Sequence, residues 1–245
     1  MKKYNVVELF AGVGGLSYGF AHNDNFEILM ANEYNKDIAT AYLLNHPKVH
    51  MIQGDIREVS ENQIKSIIGE RQVDIVVGGP PCQSYSTLGK RRMDERAHLF
   101  EEYCRVLTII KPKMFLFENV SGLLSMQGGK LIETIKDEFR KLGYILKSEV
   151  LNAVNYGVPQ YRDRVILVGM RNENVFEFPR PTHSDDSKSG LKPFVTLKDA
   201  IGNLPFLSSG EGSRKYLSSP TNYFQKFVQD TMKLMKTMLQ IMENT

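Results

Sequence analysis

Short apolar and β-branched runs alternate with amphipathic segments along most of the chain. Strands are predicted at residues 6–10, 26–31, 50–53, 73–77, 114–117, 145–151 and 165–169. Helices are predicted from about Leu16 and over residues 37–45, 99–110 and 130–142, the third on apolar positions at helical spacing. This alternation predicts an α/β fold with a Rossmann-like layout, in which helices cover both faces of a mostly parallel sheet.

After Gly169 the alternation of strands and helices gives way to loop-rich sequence, and we predict a domain boundary at residues 183/184. Residues 179–193 carry three prolines together with Ser, Asp and Gly, and residues 202–222 are again loop-rich. Residues 222–244 are predicted to form a helix with one apolar, methionine-rich face. The chain therefore divides into a main domain, 1–183, and a loop-rich extension with a C-terminal helix, 184–245.

Composition limits the partners and the compartment. The 245 residues are 42% apolar and 24% charged, as in ordinary globular proteins, and no apolar run reaches membrane-spanning length. No signal-peptide core follows the first residues, so we expect a cytoplasmic location and no membrane partner. Two cysteines without zinc-like spacing predict neither a disulfide framework nor a metal site. The net charge of +3 permits a nucleic-acid partner.

Glycines and acids follow three successive predicted strands. Gly12, Gly14 and Gly15 come after the first strand and allow the backbone to approach a ligand closely, although their spacing is not the dinucleotide fingerprint. Glu33 follows the second strand, where a carboxylate can bind both hydroxyls of a ribose. Asp55 follows the third, suitably placed for an adenine amino group. A single acid after a strand is usually a cap, but the succession predicts a cofactor that contains a nucleoside.

Four residues with reactive or charged side chains stand next to the ends of the later predicted strands. The segment Gly-Gly-Pro-Pro-Cys-Gln-Ser-Tyr-Ser at 78–86 presents Cys82 in a proline-stiffened turn at the edge where open α/β sheets bind ligands. The motif alone fits a structural turn equally well. Glu118 follows the next strand, and Arg162 and Arg164 precede the last one. Beside the thiol and the carboxyl group, these arginines indicate a reactive site rather than a surface ion-pair strip.

These segments resemble, in order, the motifs of the cytosine-C5 DNA methyltransferase family. The matching segments are Glu8-Leu-Phe-Ala-Gly-Val-Gly-Gly15, Glu33, Gly54-Asp-Ile-Arg57, Gly79-Pro-Pro-Cys-Gln83, Leu99-Phe100, Glu118-Asn-Val120 and Gly157-Val-Pro-Gln-Tyr-Arg-Asp-Arg164. The resemblance implies an S-adenosylmethionine-dependent methyltransferase fold, with 1–183 as the catalytic, cofactor-binding domain. It implies cofactor contacts from Phe10, Ala11, Gly12, Gly14, Gly15, Leu16, Glu33, Tyr34, Asp55, Ile56, Pro80 and Leu99.

The resemblance also implies a mechanism that these residue types can carry. Cys82 adds as a thiolate to C6 of cytosine, which makes C5 nucleophilic, and a proton from a buried Glu118 relieves the charge at N3. Arg162 and Arg164 hold the base carbonyl and Glu118. Because C5 lies inside the duplex stack, the base is flipped out. Cys104 matches no motif and is predicted to be structural. DNA contacts are expected from Gln83, Ser84, Ser86, Arg91 and Gln160.

The sequence departs from the family after about residue 227. The target-recognition domain, the Arg-rich motif ahead of it and the final Gly-Asn motif have no counterpart, so we expect weak cofactor and DNA binding by this chain alone. A second polypeptide is expected to carry them, and the DNA methylation would serve restriction-modification or regulation. Two alternatives stay open: the same chemistry on tRNA, and a truncated, inactive remnant. The segment 83–86 favours DNA.

Overall fold

The structure, a computed structural model, describes residues 3–81, 99–172, 176–213 and 215–229. The internal contacts divide the chain into two units. The first comprises Met1–Leu151 and Asp163–Phe178, and the second comprises Asn152–Arg162 and Pro179–Thr245. The domain boundary at 183/184 stays a prediction.

Within the described residues, a seven-stranded sheet forms the centre of the fold. Its strands are β1 (Tyr4–Leu9), β2 (Phe26–Glu33), β3 (His50–Gln53), β4 (Ile75–Gly78), β5 (Met114–Val120), β6 (Ile145–Asn152) and β7 (Asp163–Met170). Their order is β3-β2-β1-β4-β5-β7-β6. The first five strands are parallel to one another, whereas β7 runs antiparallel to β5. The predicted Rossmann-like, mostly parallel sheet is confirmed.

The helices are α1 (Tyr18–Ala21), α2 (Lys36–Asn45), α3 (Glu61–Ile68), α4 (Leu99–Ile110), α5 (Lys130–Lys141) and α6 (Leu197–Ile201). They agree with the sequence pattern for α2, α4 and α5, whereas α1 is shorter than predicted and α3 and α6 were not predicted. Helix α1 begins two residues later than predicted and has a single turn. Helix α3 was not predicted, although Ser60 caps it by accepting a hydrogen bond from the Gln63 amide and Ile64 and Ile68 are buried.

Aromatic side chains pack between the sheet and helices α4 and α5. The rings of Phe115 and Phe139 lie 4.3 Å apart, and Tyr103 meets Phe117 edge to face at 5.5 Å. The buried Tyr103 hydroxyl donates to the Leu116 carbonyl at 3.0 Å. This packing fixes the carboxyl ends of β4 and β5, because large buried rings leave little freedom to the strands beneath them.

The register of the parallel strands places the predicted site residues along one edge of the sheet. Ile52, Asn32, Leu9, Gly78 and Phe117 are successive register partners across β3, β2, β1, β4 and β5. The next residue on each strand therefore lies at the carboxyl edge, where ligands bind in such sheets. These edge residues are Gln53, Glu33, Phe10, Gly79 and Glu118.

The second unit contains short elements joined by side-chain hydrogen bonds. Residues Ala153–Tyr156 form a 3-10 helix that Asn152 caps, and β8 (His183–Ser184) pairs with β9 (Lys192–Pro193). Thr196 and Asp199 form a capping box at the start of α6. Residues 223–229 are helical, as predicted, and the rest of the predicted helix lies outside the described residues. No helix in the described part of the chain is long and apolar enough to cross a membrane.

Candidate active site

The segment that leads to Cys82 is held by a buried asparagine. Pro80 is buried and Pro81 is exposed, and Asn119 donates from Nδ2 to the Pro80 carbonyl at 3.0 Å. Asn119 is 4% exposed, so this bond ties the end of β5 to the turn after β4. Asn119 was not among the predicted site residues, although it stands inside the Glu-Asn-Val motif. Cys82 and the predicted DNA contacts Gln83, Ser84, Ser86 and Arg91 lie outside the described residues.

Glu118 and Arg164 form a half-buried ion pair at the same edge, so Glu118 is not the buried acid that was expected. Arg164 Nε lies 2.6 Å from Glu118 Oε1, and the two side chains are 21% and 27% exposed. The other carboxyl oxygen, Oε2, lies against Gly79, where an added Cβ would come within 2.6 Å of it. Only glycine therefore leaves room for this carboxyl group beside the Pro-Pro turn.

Both members of this pair lie within strands, which the sequence analysis did not predict. Glu118 was expected just after its strand and Arg164 just before its own, but β5 extends to Val120 and β7 begins at Asp163. The ladder of β5 with β7 pairs Val120 with Arg164 and Glu118 with Ile166. Backbone hydrogen bonding between the two strands thus fixes the backbone positions from which the two side chains meet.

Arg162 and Gln160 belong to the second unit. Both are exposed. The Arg162 amide donates to Asn152 Oδ1 at 3.1 Å, and its carbonyl accepts from the Ala153 amide at 3.0 Å. These bonds order the backbone at Arg162. The predicted roles of Arg162 and Gln160 stay predictions.

The glycine turn after β1 has the open, left-handed backbone that close ligand approach requires. Phe10, Gly12 and Gly14 have φ of +54°, +57° and +88°. Phe10 is not a glycine, and such a backbone is strained for a bulky residue, which is typical of functional sites. A Cβ added at Gly12 or Gly15 would meet nothing within 4 Å. The turn therefore presents bare backbone to a ligand.

Glu33 joins this turn to the end of β2. Its Oε2 accepts from the Gly12 amide and its Oε1 from the Asn35 amide, both at 2.9 Å. Each carboxylate oxygen has a second lone pair, so Glu33 keeps the capacity to bind ribose hydroxyls. Tyr34, the next residue, is 70% exposed and offers an aromatic face.

Asp55 is engaged locally. It accepts from the Arg57 amide and forms an ion pair with the Arg57 guanidinium at 2.5 Å, and this side-chain hydrogen bonding lowers the pKa of Asp55. Asn32, which is 2% exposed, donates to the carbonyls of Ile52 and Gly54 at 3.0 Å and holds the turn before Asp55. Asn32 was not among the predicted site residues. The predicted contact of Asp55 with adenine stays a prediction.

The remaining predicted cofactor residues form the apolar part of the edge. Ala11 and Ile56 are buried, whereas Leu16, Phe10 and Leu99 are half-buried and pack against the hydrophobic clusters of the sheet. Among the described residues, no group of three His, Cys, Asp or Glu side chains could hold a metal ion.

Cys104 has the environment of a packed core residue. It lies half-buried on α4 against the main hydrophobic cluster, and burial raises the pKa of its thiol to about 12. The thiol therefore stays protonated near neutral pH, which makes it a poor nucleophile.

Comparisons with known proteins agree with this arrangement. The family model for the C-5 cytosine-specific DNA methylases matches residues 4–244. The chain is 37% identical over 211 residues to the type II methyltransferase M1.HphI of Haemophilus parahaemolyticus. The match covers 84% of this chain and 54% of that relative. It is also 37% identical over 220 residues to the type II methyltransferase M.AquIA of a Picosynechococcus species, covering 82% of this chain and 88% of M.AquIA.

Solved structures show the same likeness. One, from E. coli, is described as a prophage-encoded DNA modification methyltransferase and superposes with a TM-score of 0.67 at 27% identity, over 84% of this chain and 56% of the other. The chain thus spans about half the length of M1.HphI and of this structural relative, and most of the length of M.AquIA.

Proposed function

Because the chain belongs to the C-5 cytosine-specific DNA methylase family, we propose that it is the catalytic part of a DNA (cytosine-5-)-methyltransferase. The reaction transfers a methyl group from S-adenosylmethionine to C5 of a flipped cytosine. The observation that carries this proposal is the Glu118–Arg164 ion pair, packed against Gly79 at the start of the turn that leads to Cys82.

In the proposed reaction, Cys82 acts as the nucleophile, Glu118 as the acid, and Arg164 as the group that orients Glu118. The Cys82 thiolate donates an electron pair to C6, and the ring electrons move toward N3 and C5. Glu118 gives a proton to N3, and Arg164, which binds Oε1, keeps the other oxygen beside the turn. After C5 has accepted the methyl group, N3 returns its proton to Glu118, a base removes the C5 proton, the C6–sulfur bond breaks, and the thiolate is released.

The glycine turn and its neighbours fit S-adenosylmethionine. Open space over Gly12 and Gly15 accepts a ligand near the backbone, and Glu33 has lone pairs left for ribose hydroxyls. Tyr34 offers a face on which adenine can stack, and Phe10 and Leu99 supply apolar contacts. When bound, this cofactor supplies an electrophilic methyl group.

The substrate and the partner chain are further parts of the proposal. Double-stranded DNA is the proposed substrate, supported by relatives that are named type II methyltransferases. A second polypeptide is proposed to carry the target-recognition domain and final motif. The match to M.AquIA supports this. That relative is named a type II methyltransferase, yet 88% of it lies within the matched part, so little of its own chain is left for a further domain.

Trapping a covalent adduct tests the proposal. The chain, with and without the product of the adjacent reading frame, is incubated with S-adenosylmethionine and a duplex that contains 5-fluorocytosine. Fluorine at C5 cannot leave as a proton, so the cysteine adduct accumulates and shifts the protein on a denaturing gel. Cys82→Ser should abolish the adduct, and the matched control Cys104→Ser should retain it because that thiol is protonated and packed.

Each outcome decides between the candidates. An adduct that survives in Cys82→Ser would overturn the assigned nucleophile. An adduct with 5-fluorocytosine in tRNA but not in the duplex would replace DNA with tRNA as the substrate. No adduct under any of these conditions would indicate the inactive remnant.

A further inference from the structure

A buried polar cluster beneath the glycine turn has no role in the chemistry described above. Glu8, Ser17, Tyr42 and His46 are each at most 4% exposed. Glu8 Oε1 and His46 Nε2 have no hydrogen-bond partner among the described residues. Buried polar atoms without partners are costly, so a cluster that keeps two of them calls for an explanation.

The cluster is joined to the turn by a row of oxygen atoms. Tyr42 donates its hydroxyl to Glu8 Oε2 at 2.8 Å, and the Ser17 and Tyr42 hydroxyl oxygens are 3.4 Å apart. Ser17 in turn donates to the Gly14 carbonyl at 3.4 Å. Gly14 also packs on the His46 imidazole, where an added Cβ would come within 2.3 Å of Nε2. Strand β1 is thus linked through two hydroxyl groups to the backbone of the turn.

The number of protons in this row decides whether Ser17 binds the Gly14 carbonyl. When Glu8 is ionised, the Tyr42 proton is committed to it. Ser17, which also lies beside the Glu8 carboxyl group, then divides its single proton among Glu8, Tyr42 and Gly14. When Glu8 carries a proton, it can donate to Tyr42, Tyr42 can donate to Ser17, and Ser17 is left to bind Gly14. All three hydrogen bonds, from Glu8 through Tyr42 and Ser17 to the Gly14 carbonyl, can therefore form at once only when Glu8 is protonated.

We propose that Glu8 is a positioning residue of the cofactor site, which holds the glycine turn through Tyr42 and Ser17 and makes cofactor affinity depend on pH. This inference rests on the proposed function for the identity of the cofactor, S-adenosylmethionine. The turn binds best when Glu8 is protonated, and its affinity falls as the pH rises and Glu8 ionises.

The surroundings of Glu8 assign the proton to this side chain. Burial raises the pKa of Glu8 to about 7. On helix α2, burial raises the pKa of Tyr42. At His46, the residue that caps this helix, burial lowers the pKa, while hydrogen bonding to the Gly14 backbone opposes this shift and the charge of His22 adds to it. The register partners of Glu8 on the two neighbouring strands, Ala31 and Val77, do not titrate. Near pH 7 Glu8 is therefore the member of the described cluster that changes charge.

Two measurements on the full chain test this inference. The first follows the amide NMR resonances of Gly12, Gly14 and Ser17 in the cofactor-free protein. They should titrate with a midpoint near 7 in the wild type and should not titrate in this range in Glu8→Gln, which carries a neutral, hydrogen-donating side chain at every pH. The second measures the dissociation constant of S-adenosylmethionine by calorimetry, which should rise on the order of tenfold from about pH 6 to about pH 8.

Variants separate positioning from a structural role. Glu8→Gln should keep the low-pH affinity at both pH values, whereas a purely structural residue would lower affinity without removing its pH dependence. Tyr42→Phe, which breaks the row at its middle, should bind weakly at both. Asp74→Asn is the matched control, because Asp74 is also a buried acid of this sheet but pairs with Lys113 and Asn5 at the opposite end. It should retain the wild-type pH dependence.

Failure of this inference is distinguishable from failure of the proposed function. Turn amides that do not titrate, or a pH dependence of affinity that persists in Glu8→Gln, would overturn the positioning role and leave the methyltransferase proposal intact. A wild-type chain that titrates as expected but binds no S-adenosylmethionine at either pH would overturn the cofactor assignment. The amide titration would then still support the proton-dependent turn.

Discussion

Two glutamates of the same sheet occupy contrasting environments. Glu8, on β1, is 1% exposed, has a tyrosine hydroxyl as its hydrogen-bond donor and has a pKa raised to about 7 by burial. Glu118, on β5, has a side chain that is 27% exposed and paired with the Arg164 guanidinium at 2.6 Å. The fold thus surrounds one carboxyl group with neutral groups and places the other next to a fixed positive charge.

This difference indicates that burial and the neighbouring groups decide what a carboxyl group can do. Burial favours the neutral form and suits Glu8 to a positioning role, in which a proton is held in place. An arginine orients a carboxyl group and leaves it accessible, which suits Glu118 to contact with a substrate. Substitutions at the two sites should therefore change different measurements.

The largest expected effect is on catalysis by Glu118. Glu118→Gln keeps the shape of the side chain but removes the acid, so the rate of methyl transfer should fall on the order of a thousandfold. Cofactor affinity should stay unchanged, because Glu118 is not part of the glycine turn. Single-turnover transfer and calorimetry measure the two quantities. Glu133→Gln removes an exposed ion-paired acid on α5 and should leave both as in the wild type.

The next effect concerns stability and Glu8. Its pKa rises from an ordinary 4.5 to about 7, so the folded protein binds more protons than the unfolded chain between these values. The resulting stability is fully present below about pH 4.5 and is lost as the pH rises toward about 7, a change on the order of 3 kcal/mol.

Urea unfolding at about pH 5 and about pH 8 measures this loss. Glu8→Gln should flatten the dependence, whereas Glu61→Gln, an exposed acid paired with Lys65, should retain it. A Glu8→Gln protein that loses as much stability as the wild type over this range would contradict the assignment of the buried proton to Glu8.

A smaller effect is expected at Gly79, which separates the turn from Glu118. Gly79→Ala places a Cβ within 2.6 Å of Glu118 Oε2 and 2.9 Å of its carbonyl oxygen, so one of the two must move. We expect a loss of about 2 kcal/mol in the free energy of unfolding, together with reduced methyl transfer. At Gly122 an added Cβ meets nothing within 4 Å, and Gly122→Ala should be close to neutral. Equal behaviour of the two variants would refute the close approach.

The smallest effect distinguishes the geometry of Arg164 from its charge. Arg164→Lys keeps a positive charge but loses the planar group that binds Glu118 through Nε and donates to the Asp163 carbonyl at 2.7 Å. Methyl transfer should fall about tenfold, with little change in cofactor affinity. Arg140→Lys, at an exposed ion pair with Asp137, is the matched control. An unaltered rate in Arg164→Lys would mean that charge alone is sufficient.

Much of the fold and the site followed from local patterns. The strand runs and the order of motifs predicted the sheet, its edge and the placement of Glu33 and Glu118. Helix α3 was not predicted, although Ser60 is a typical N-cap residue and Ile64 and Ile68 stand at helical spacing after it. This helix could therefore have been predicted from the sequence. The extension of β5 through Glu118 and of β7 through Arg164 was not predictable in this way, because it depends on pairing between distant strands.

The buried polar cluster and the hydrogen bonds of the buried asparagines could not be predicted from the sequence for a similar reason. Glu8 and Tyr42 are 34 residues apart, and no periodicity relates a strand acid to a helix tyrosine. Asn119 lies 39 residues from Pro80, whose carbonyl it binds. Such contacts appear only once the chain is folded.

The central claim is that this chain catalyses methyl transfer to C5 of cytosine in DNA. The most direct test transfers tritiated methyl groups from S-adenosylmethionine to a mixed-sequence duplex, with the chain alone and with the product of the adjacent reading frame, and identifies the labelled nucleoside after digestion. The account predicts label in 5-methylcytosine, which requires the second polypeptide and is lost in Glu118→Gln. Label on another base, or undiminished label in Glu118→Gln, would contradict it.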